Sequence, residues 1–595
     1  MTPYAPPIED MRFALNEIAG LSEIAALPGF EAAEPALVDQ ILEEAGRFAS
    51  GVLAPLNQGG DREGSVLENG VVRTPKGFAE AYRGFVAGGW NSVPFEPEHG
   101  GQGLPWMVQT ALAEMWSSAN MSFSLCPMLN GGALDLLVHH GSEEQKRLYL
   151  AKLVSGEWTG TMNLTEPQAG TDLGALRTKA VPDGNAYRIT GQKIFITYGG
   201  HAMAEDVVHM VLARTPDAPP GTRGISLFIV PKFLVNGDGS LGRRNDVRCV
   251  SLEHKLGIHA SPTCVLAYGD DGGALGTLVG GENRGIECMF TMMNNERIGV
   301  GIQGLGVAER AYQQAREFAR VRVQSRAIEG SPGPVPIIRH PDVRRMLISM
   351  KSQTEAMRGL AYQTASWLDR ARRDPDRALR ARSQTLVDLL VPVVKAWCSD
   401  TAVEIASTGI QVHGGMGFIE ETGAAQHLRD ARITPIYEGT NGIQANDLVG
   451  RKVVRDGGEA ARLFLAEVER AAETIDRQRD EGLAPVGQSL SAGATALAEA
   501  TDWLVATYPG DVRTAAVGAV PYLRLFGIVA GGWAMARAAT AAKRQLAGAN
   551  GASGFLKGKL TTARFYADHV LSQAPALVRQ VTGGSAALDL AEEQF

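Results

Sequence analysis

The sequence is poor in cysteine. It has only five cysteines, and no Cys-x-x-Cys pair occurs among them. They are Cys126, Cys249, Cys264, Cys288 and Cys398. An odd number of widely separated cysteines does not support a disulfide framework, and the lack of a Cys/His cluster gives no support for a zinc site. We therefore expect a reducing compartment, the cytoplasm, and predict no metal site.

Long apolar runs are also missing. No run reaches the roughly 20 apolar residues that a membrane-spanning helix needs. Residues 1–30 contain no cationic segment followed by an apolar core, so no secretory signal is predicted. The most apolar stretch, Leu525–Met535, is short and contains three glycines, which is typical of a buried helix. We therefore expect no transmembrane segment.

Neither sign of charge dominates. The chain has 57 basic and 65 acidic residues, which gives a net charge of −8. Because nucleic-acid-binding proteins usually present an excess of Lys and Arg, this weak acidity argues against a nucleic-acid partner. With 45% hydrophobic and 21% charged residues, the composition is that of an ordinary globular protein. The length suggests about three to five domains.

The apolar periodicity predicts helices, then strands, then helices again. Strand-like alternation is found in Tyr187–Thr197, where a turn interrupts it, and in Val207–Ala213, Gly224–Val230, Val247–Leu252 and Thr263–Tyr268. Ser331–Pro336 is rich in proline and is predicted to be an exposed loop within a helical bundle. The predicted segments are an N-terminal arm (1–35), an α-helical domain (36–158), a β domain (159–282), a helical bundle (283–455) and a further helical domain (456–595).

One carboxylate, Glu438, stands out in the segment Arg432–Gly442. Pro435 cannot continue a helix, and Gly439 and Gly442 permit backbone conformations that other residues resist. Glu438 is therefore predicted to lie on a turn between two helical segments, against apolar surface. Desolvation there would raise its pKa towards neutrality, as a general base for a weakly acidic C–H requires. The alternative is a solvated loop acid.

Three further segments combine small, hydroxyl and aromatic residues. In Leu164–Asp172, small residues allow backbone N–H groups to approach a ligand, and threonine hydroxyls can bind its polar atoms. Phe195–Thr197 ends a predicted strand with an aromatic ring and a hydroxyl, which suits the edges of a flat heterocycle. The glycines of Gln411–Gly417 can turn backbone amides towards a phosphate or an adenine-like group. Each pattern alone is also compatible with an ordinary loop or strand.

Together these segments resemble the flavin-dependent acyl-CoA dehydrogenases. The matching motifs are Leu-Thr-Glu-Pro-x-Ala-Gly-Thr-Asp, Gly-Gln-Lys-x-Phe-Ile-Thr, Gly-Gly-Met-Gly-Phe and Ile-Tyr-Glu-Gly-Thr, within residues 40–455. The resemblance implies a mainly α fold with a central β domain: an N-terminal α-helical domain, a middle β-barrel-like domain and a C-terminal four-helix bundle. The arm and residues 456–595 resemble the larger bacterial subgroup that includes the 3-methylmercaptopropionyl-CoA dehydrogenases, so an extra C-terminal helical domain is expected.

The resemblance also implies a set of site residues. Glu438 corresponds to the base that removes the α-proton while hydride leaves the β-carbon. Glu296 falls where some members place their base and is the alternative; an ion-paired acid or an acid at a helix N-terminus would also fit it. The implied FAD-binding positions are Leu164, Thr165, Thr171, Phe195, Thr197, Arg322, Gln411, Gly414, Gly415, Thr440 and Asn441. The implied substrate positions are Thr171, Arg297, Glu438 and Gly439.

The family further implies partners and products. The substrate would be a fatty acyl-CoA or a thioester similar to 3-methylthiopropanoyl-CoA, converted to a trans-2-enoyl-CoA in β-oxidation or in the degradation of dimethylsulfoniopropionate. An electron-transfer flavoprotein would accept the electrons, and a homodimer or tetramer would hold FAD at its subunit interface. Two alternatives remain: an oxidase-like enzyme that passes electrons to oxygen, and a non-catalytic, nucleic-acid-binding relative of the fold.

Overall fold

The computed structural model describes residues 2–548 and 553–595, and they divide into two units. The helical unit comprises Met1–Gly46, Pro105–Ser118 and Val300–Phe595, and the mixed unit comprises Arg47–Leu104 and Ala119–Gly299. Residues 549–552, within the predicted C-terminal domain, lie outside the described residues. Because both units combine segments of several predicted domains, the predicted domain boundaries stay a prediction.

Helices account for most of the described secondary structure. They are α1 (Ile8–Phe13), α2 (Leu21–Ala25), α3 (Pro35–Phe48), α4 (Ala54–Glu63), α5 (Phe78–Ala87), α6 (Trp106–His140), α7 (Glu143–Ser155), α8 (Gly285–Val321), α9 (Pro341–Arg373), α10 (Arg377–His413), α11 (Ala424–Ala431), α12 (Asn441–Asp447), α13 (Glu459–Gln478), α14 (Ala484–Thr507), α15 (Val512–Val517), α16 (Ala519–Gly548), α17 (Gly554–His569) and α18 (Ala574–Thr582). The predicted fold class, mainly α with a central β region and additional C-terminal helices, is confirmed.

The strands lie mostly between α7 and α8. They are β1 (Val66–Glu68), β2 (Val71–Arg73), β3 (Trp158–Asn163), β4 (Lys179–Asp183), β5 (Ala186–Thr197), β6 (Asp206–Ala213), β7 (Ser226–Pro231), β8 (Phe233–Val235), β9 (Leu241–Arg244), β10 (Val247–Leu252), β11 (Thr263–Tyr268), β12 (Ala274–Val279), β13 (Val323–Arg326) and β14 (Pro334–Pro336). The strand predictions for β6, β7, β10 and β11 are confirmed.

The main sheet of the mixed unit has eight strands in the order β10-β11-β5-β12-β7-β6-β3, with β4 paired to β5. Only β3 and β6 pair in parallel among these strands. β6 and β7 are buried along their whole length, which explains their almost continuous apolar sequences. The turn predicted inside β5 is wrong, because Gly191 keeps its place in the ladder opposite Tyr268.

The long helices α8, α9 and α10 dominate the helical unit. Asp376 fixes the start of α10, because its side chain accepts hydrogen bonds from the N–H groups of Ala378 and Leu379. The predicted loop Ser331–Pro336 is wrong in part, since Pro334–Pro336 pairs antiparallel with Val323–Arg326. Proline lacks an N–H but can still accept ladder hydrogen bonds at a strand edge, and this pairing was not visible from the proline content.

A buried cluster of charges ties the N-terminal arm to the helical unit. The Arg358 guanidinium is almost fully buried and pairs with Asp10 of α1, Glu114 of α6 and Glu309 of α8. Asp10 also pairs with Lys559 of α17. Because an unpaired buried charge is costly, these contacts depend on one another. The first residues of the chain are therefore an integral part of this unit.

Among the described residues, two helices, α6 and α16, are long and apolar enough to cross a membrane by length and composition alone, with a mean hydropathy of 1.3 in each. Most of each apolar window is buried inside the protein, 78% for α6 and 83% for α16. A core helix passes the same test, so this is weak evidence for a span. The buried helix predicted at Leu525–Met535 is confirmed within α16.

Candidate active site

Glu438 lies on a turn between α11 and α12, as predicted. It is half-buried, and its φ is +57°, in the left-handed region that non-glycine residues rarely adopt. Gly439 follows at φ +83°. Gly442 lies in the first turn of α12, where the Thr440 side chain accepts the N–H of Ile443, so the conformational freedom of this glycine is not used. A left-handed glutamate is strained, and such strain is concentrated at functional sites.

The side chain of Asn441 is engaged with α10. Its Nδ2 donates to the carbonyl oxygen of Ala396 at 3.1 Å, to Ser399 Oγ at 3.0 Å and to Asp400 Oδ1 at 2.7 Å. Its Oδ1 accepts from Lys395 Nζ at 2.8 Å. The predicted contact of Asn441 with a flavin would therefore use its backbone, and that contact stays a prediction.

Tyr437 and Ile436 precede the carboxylate. The Tyr437 hydroxyl donates to Gln303 Oε1 of α8, which ties the turn to a second long helix. Ile436 is 47% exposed, so one apolar neighbour of the carboxylate is turned partly outwards. The predicted rise in the pKa of Glu438 stays a prediction.

In the mixed unit, a buried ion pair shapes the loop Leu164–Asp172. Glu166 Oε1 lies 2.8 Å from Lys193 Nζ, and the same ammonium donates to the carbonyl oxygen of Leu164 at 2.9 Å. Burial alone would raise the pKa of Glu166, but Lys193 and hydrogen bonds from Thr178 and Arg177 lower that pKa to about 2. Sequence reasoning missed this pair, although both residues belong to the quoted motifs.

The loop also extends the sheet. The N–H of Ile194 in β5 donates to the carbonyl oxygen of Thr165 at 2.9 Å, so Thr165 runs alongside the strand that ends at Thr197. Leu164 is buried, Thr165 is half-buried and Thr171 is exposed. The structure thus brings Leu164 and Thr165 to the edge of β5 and leaves the Thr171 hydroxyl open to solvent.

A bulge at the end of β5 turns Phe195 outwards. Opposite β11, the register shifts between Cys264 and Leu266, and Phe195 has φ +61°. Its ring is 57% exposed, whereas Ile196 beside it is buried. Thr197 is half-buried and pairs with Thr263. Bulges commonly re-aim side chains next to active sites, and here the result is an outward aromatic ring and a neighbouring hydroxyl.

Arg322 and the segment around Gln411 are brought together in the helical unit. The Arg322 guanidinium carbon lies 5.3 Å from the centroid of the Phe318 ring, and that ring lies 4.4 Å from the His413 ring. Arg322, Gln411, Gly414 and Gly415 are all exposed. A permanent cation beside exposed glycine amides can bind a phosphate-containing group.

Glu296 and Arg297 lie well inside α8 and are buried, at 0% and 6% exposure. Glu296 is therefore not an acid at a helix N-terminus. A Cβ at Gly132 of α6 would lie 2.3 Å from Glu296 Oε1 and 3.0 Å from Met292 Cγ, so the two helices approach closely at this glycine. Arg297 Nη1 lies 3.5 Å from Asn294 Oδ1. The alternative base is thus enclosed by close packing of two helices of the mixed unit.

Comparison with known proteins identifies the family. Family models match at residues 38–157 (acyl-CoA dehydrogenase, N-terminal domain), 161–270 (middle domain), 283–453 (C-terminal domain) and 464–590 (acetyl-CoA dehydrogenase C-terminal like). The chain is 50% identical over 581 residues to 3-methylmercaptopropionyl-CoA dehydrogenase of Ruegeria pomeroyi. The alignment covers 97% of this chain and 98% of that protein.

Solved structures agree in fold. The Caenorhabditis elegans ACDH-11 complex with C11-CoA has a TM-score of 0.76 at 21% identity and covers 96% of this chain and 93% of that chain. The Bacillus anthracis acyl-CoA dehydrogenase complexed with FAD has a TM-score of 0.74 at 22% identity, covering 94% and 90% respectively. The chain therefore belongs to the acyl-CoA dehydrogenase family and is an oxidoreductase that acts on acyl-CoA thioesters.

Proposed function

We propose that this acyl-CoA dehydrogenase uses Glu438 to remove the α-proton of its thioester substrate and forms a trans-2-enoyl-CoA. The observation that carries the proposal is the geometry of Glu438, a half-buried carboxylate on a strained left-handed turn that two long helices hold in place. A carboxylate kept partly out of water is a stronger base than one in free solution. Glu296 is the weaker candidate, because its carboxylate is enclosed between helices.

The family is FAD-dependent, and the side chains of this chain fit that cofactor. The outward Phe195 ring and the Thr197 hydroxyl suit the edges of a flat isoalloxazine, and the exposed Arg322 suits a pyrophosphate. When bound, FAD supplies the acceptor for the hydride that leaves the β-carbon. The further residues that would hold it are Leu164, Thr165, Thr171, Gln411, Gly414, Gly415, Thr440 and Asn441.

The chain's own contribution is to orient the thioester and accept a proton at a Glu438 carboxylate oxygen. A C–H beside a thioester is a poor acid, so hydrogen-bond donors must stabilise the negative charge that develops on the thioester oxygen. One well-placed donor contributes about 3–4 kcal/mol by the precedent of oxyanion holes. Excluding water strengthens such contacts and raises the basicity of the carboxylate. Thr171, Arg297 and Gly439 are the further positions proposed to meet the substrate.

The proposed substrate is a short acyl-CoA, with a 3-methylthiopropanoyl thioester as the first candidate. Support comes from the Ruegeria pomeroyi relative, which shares half of its residues with this chain over almost its whole length. Fatty acyl-CoAs are the broader class to test beside it. The proposed electron acceptor is an electron-transfer flavoprotein, as the family implies.

We also propose a homodimer or tetramer in which the segment Gln411–Gly415 meets the FAD of a neighbouring subunit. Large apolar side chains next to this segment are exposed, with Phe418 at 85% and Met416 and Ile419 at more than 40%. Such a patch is costly in water and is typical of a protein–protein interface. Sedimentation of the purified protein tests this, and a monomer at micromolar concentration would contradict it.

A single preparation tests the main proposal. The purified protein should be yellow, and anaerobic addition of acyl-CoAs from short to long should bleach the flavin absorbance, fastest with the preferred substrate. A slow return of colour in air distinguishes a dehydrogenase from an oxidase. A colourless protein that gains no activity when FAD is added would contradict the proposal.

A further inference from the structure

One buried side-chain amide contacts the backbone of Glu438. Gln444 of α12 is fully buried, and its Nε2 donates to the carbonyl oxygens of Glu438 and Gly439, each at 3.2 Å. These are the two consecutive residues with positive φ, at +57° and +83°. A single amide nitrogen therefore holds both peptide groups that follow the two left-handed residues.

A second amide fixes the end of the same turn. Asn441 bonds to the carbonyl oxygen of Ala396 and to Ser399 and Asp400, and it accepts from the fully buried Lys395. Its own N–H donates to the carbonyl oxygen of Pro435 at 3.0 Å and closes the turn. Through this residue the turn is attached to the middle of α10.

Both amides hold the Glu438 turn in a backbone conformation that it would otherwise leave. Glutamate at positive φ relaxes towards the α or β region when nothing holds it, and the carboxylate would swing with the backbone. A displacement of about 1 Å between reacting groups costs up to roughly 100-fold in rate. Side chains that hold such a conformation therefore act on the reaction through Glu438, without touching the substrate.

We propose that Gln444 and Asn441 are positioning residues that keep the Glu438 turn in its left-handed, proton-accepting shape. This inference rests on the proposed role of Glu438 as the base. Gln444 orients the peptide groups on the C-terminal side of the carboxylate, and Asn441 anchors them to α10. The rigidity of the turn is thus built from two amides that lie three residues apart on one face of α12.

The test compares Gln444→Met with Gln313→Met in the full-length protein. Gln313 of α8 is also a buried amide, at 3% exposure, and it holds another segment. It accepts from the N–H of Ala5 at 3.1 Å and donates to the Ala5 carbonyl oxygen at 2.7 Å and to Glu309 Oε1 at 2.8 Å. Methionine preserves the volume and removes the hydrogen bonds in both cases. The two main readouts are hydrogen–deuterium exchange over residues 432–442 and the rate constant of flavin reduction per bound flavin, and the Michaelis constant for the acyl-CoA is measured beside them.

For Gln444→Met, we expect exchange over residues 432–442 at least tenfold faster than in the unsubstituted protein, and a rate constant of flavin reduction lowered by about 10- to 100-fold. The Michaelis constant should change much less, because the substrate contacts remain. Gln313→Met should leave both readouts within twofold while loosening the N-terminal arm. Asn441→Ala should reproduce the effect of Gln444→Met.

Unchanged exchange and an unchanged rate constant in Gln444→Met would overturn the proposal. Loss of FAD with a normal rate constant per bound flavin would also overturn it, since the amide would then serve only cofactor retention. If Gln444→Met does not fold, Gln444→Leu removes the donor with a smaller apolar side chain and must give the same result. If none of the acyl-CoAs reduces the flavin of the unsubstituted protein, the proposed function fails. The comparison of hydrogen–deuterium exchange still decides whether Gln444 holds the turn.

Discussion

The two candidate carboxylates, Glu438 and Glu296, differ in secondary structure and in burial. Glu438 is half-buried on a short turn with left-handed backbone, whereas Glu296 is fully buried inside α8 and packed against a glycine of α6. A proton acceptor must reach its substrate, and its orientation must be fixed before the substrate arrives. At Glu438, hydrogen bonds from outside the turn hold a strained backbone, which fits the proposed role of this residue as the base. The surroundings of Glu296 instead favour close helix packing.

Replacing each of the two glutamates in turn should show most clearly which of them acts as the base. Glu438→Gln keeps the shape of the side chain but cannot accept the proton, so turnover should fall by about 10²–10⁴-fold, the usual contribution of a general base. Glu296→Gln should lower turnover by less than about tenfold, since amide and carboxylate have similar volumes and the packing is retained. Steady-state reduction of an artificial electron acceptor measures both. Equal losses would show that the two acids act as a unit.

The packing around Glu296 gives the next largest effect. Gly132→Ala places a methyl group 2.3 Å from Glu296 Oε1. Because the Glu296 side chain is fully buried, it can give way only by displacing its neighbours, and the free energy of unfolding should fall by about 1–3 kcal/mol. Gly131→Ala on the same helix is the matched control, because a Cβ there meets nothing within 4 Å. The control should be neutral or raise stability by about 0.5–1 kcal/mol. Chemical denaturation measures both, and similar values would refute the close approach.

The backbone at Glu438 gives a smaller effect on stability. Gly439→Ala forces a side chain into a residue at φ +83° and should cost about 1–2 kcal/mol, with slower turnover because the preceding carboxylate shifts. Gly442→Ala is the control: this residue is helical, and its Cβ would be in ordinary contact, 3.8 Å from Thr440 Oγ1. It should be neutral or slightly stabilising. A tolerated Gly439→Ala would contradict the left-handed turn.

Local sequence signals predicted the order of elements and the turn at Glu438. The strands β10 and β11 have the predicted bounds, and Pro435 marks the break between helices, because apolar alternation and proline act over a few residues. The same signals failed at Ser331–Pro336, where two short segments pair as a ribbon. They did not show that the Thr440 side chain caps α12, so that Gly442 lies in the first turn of this helix.

Contacts between distant residues were beyond local signals. Lys193 and Glu166 form their buried pair across a strand and a loop, and the bulge that turns Phe195 outwards depends on the register with β11. The hydrogen bonds from Gln444 depend on how α12 returns to the turn. Motifs predicted the candidate site residues, but the geometry around these residues comes from tertiary packing.

Exchange of the substrate's α-hydrogen tests the central claim most directly. The protein is incubated in D₂O with a short acyl-CoA whose β-carbon carries no hydrogen, so that proton removal occurs without hydride transfer, and deuterium uptake is followed by mass spectrometry. We predict steady uptake with the unsubstituted protein and with Glu296→Gln, and none above background with Glu438→Gln. Uptake that persists in Glu438→Gln and disappears in Glu296→Gln would contradict the account.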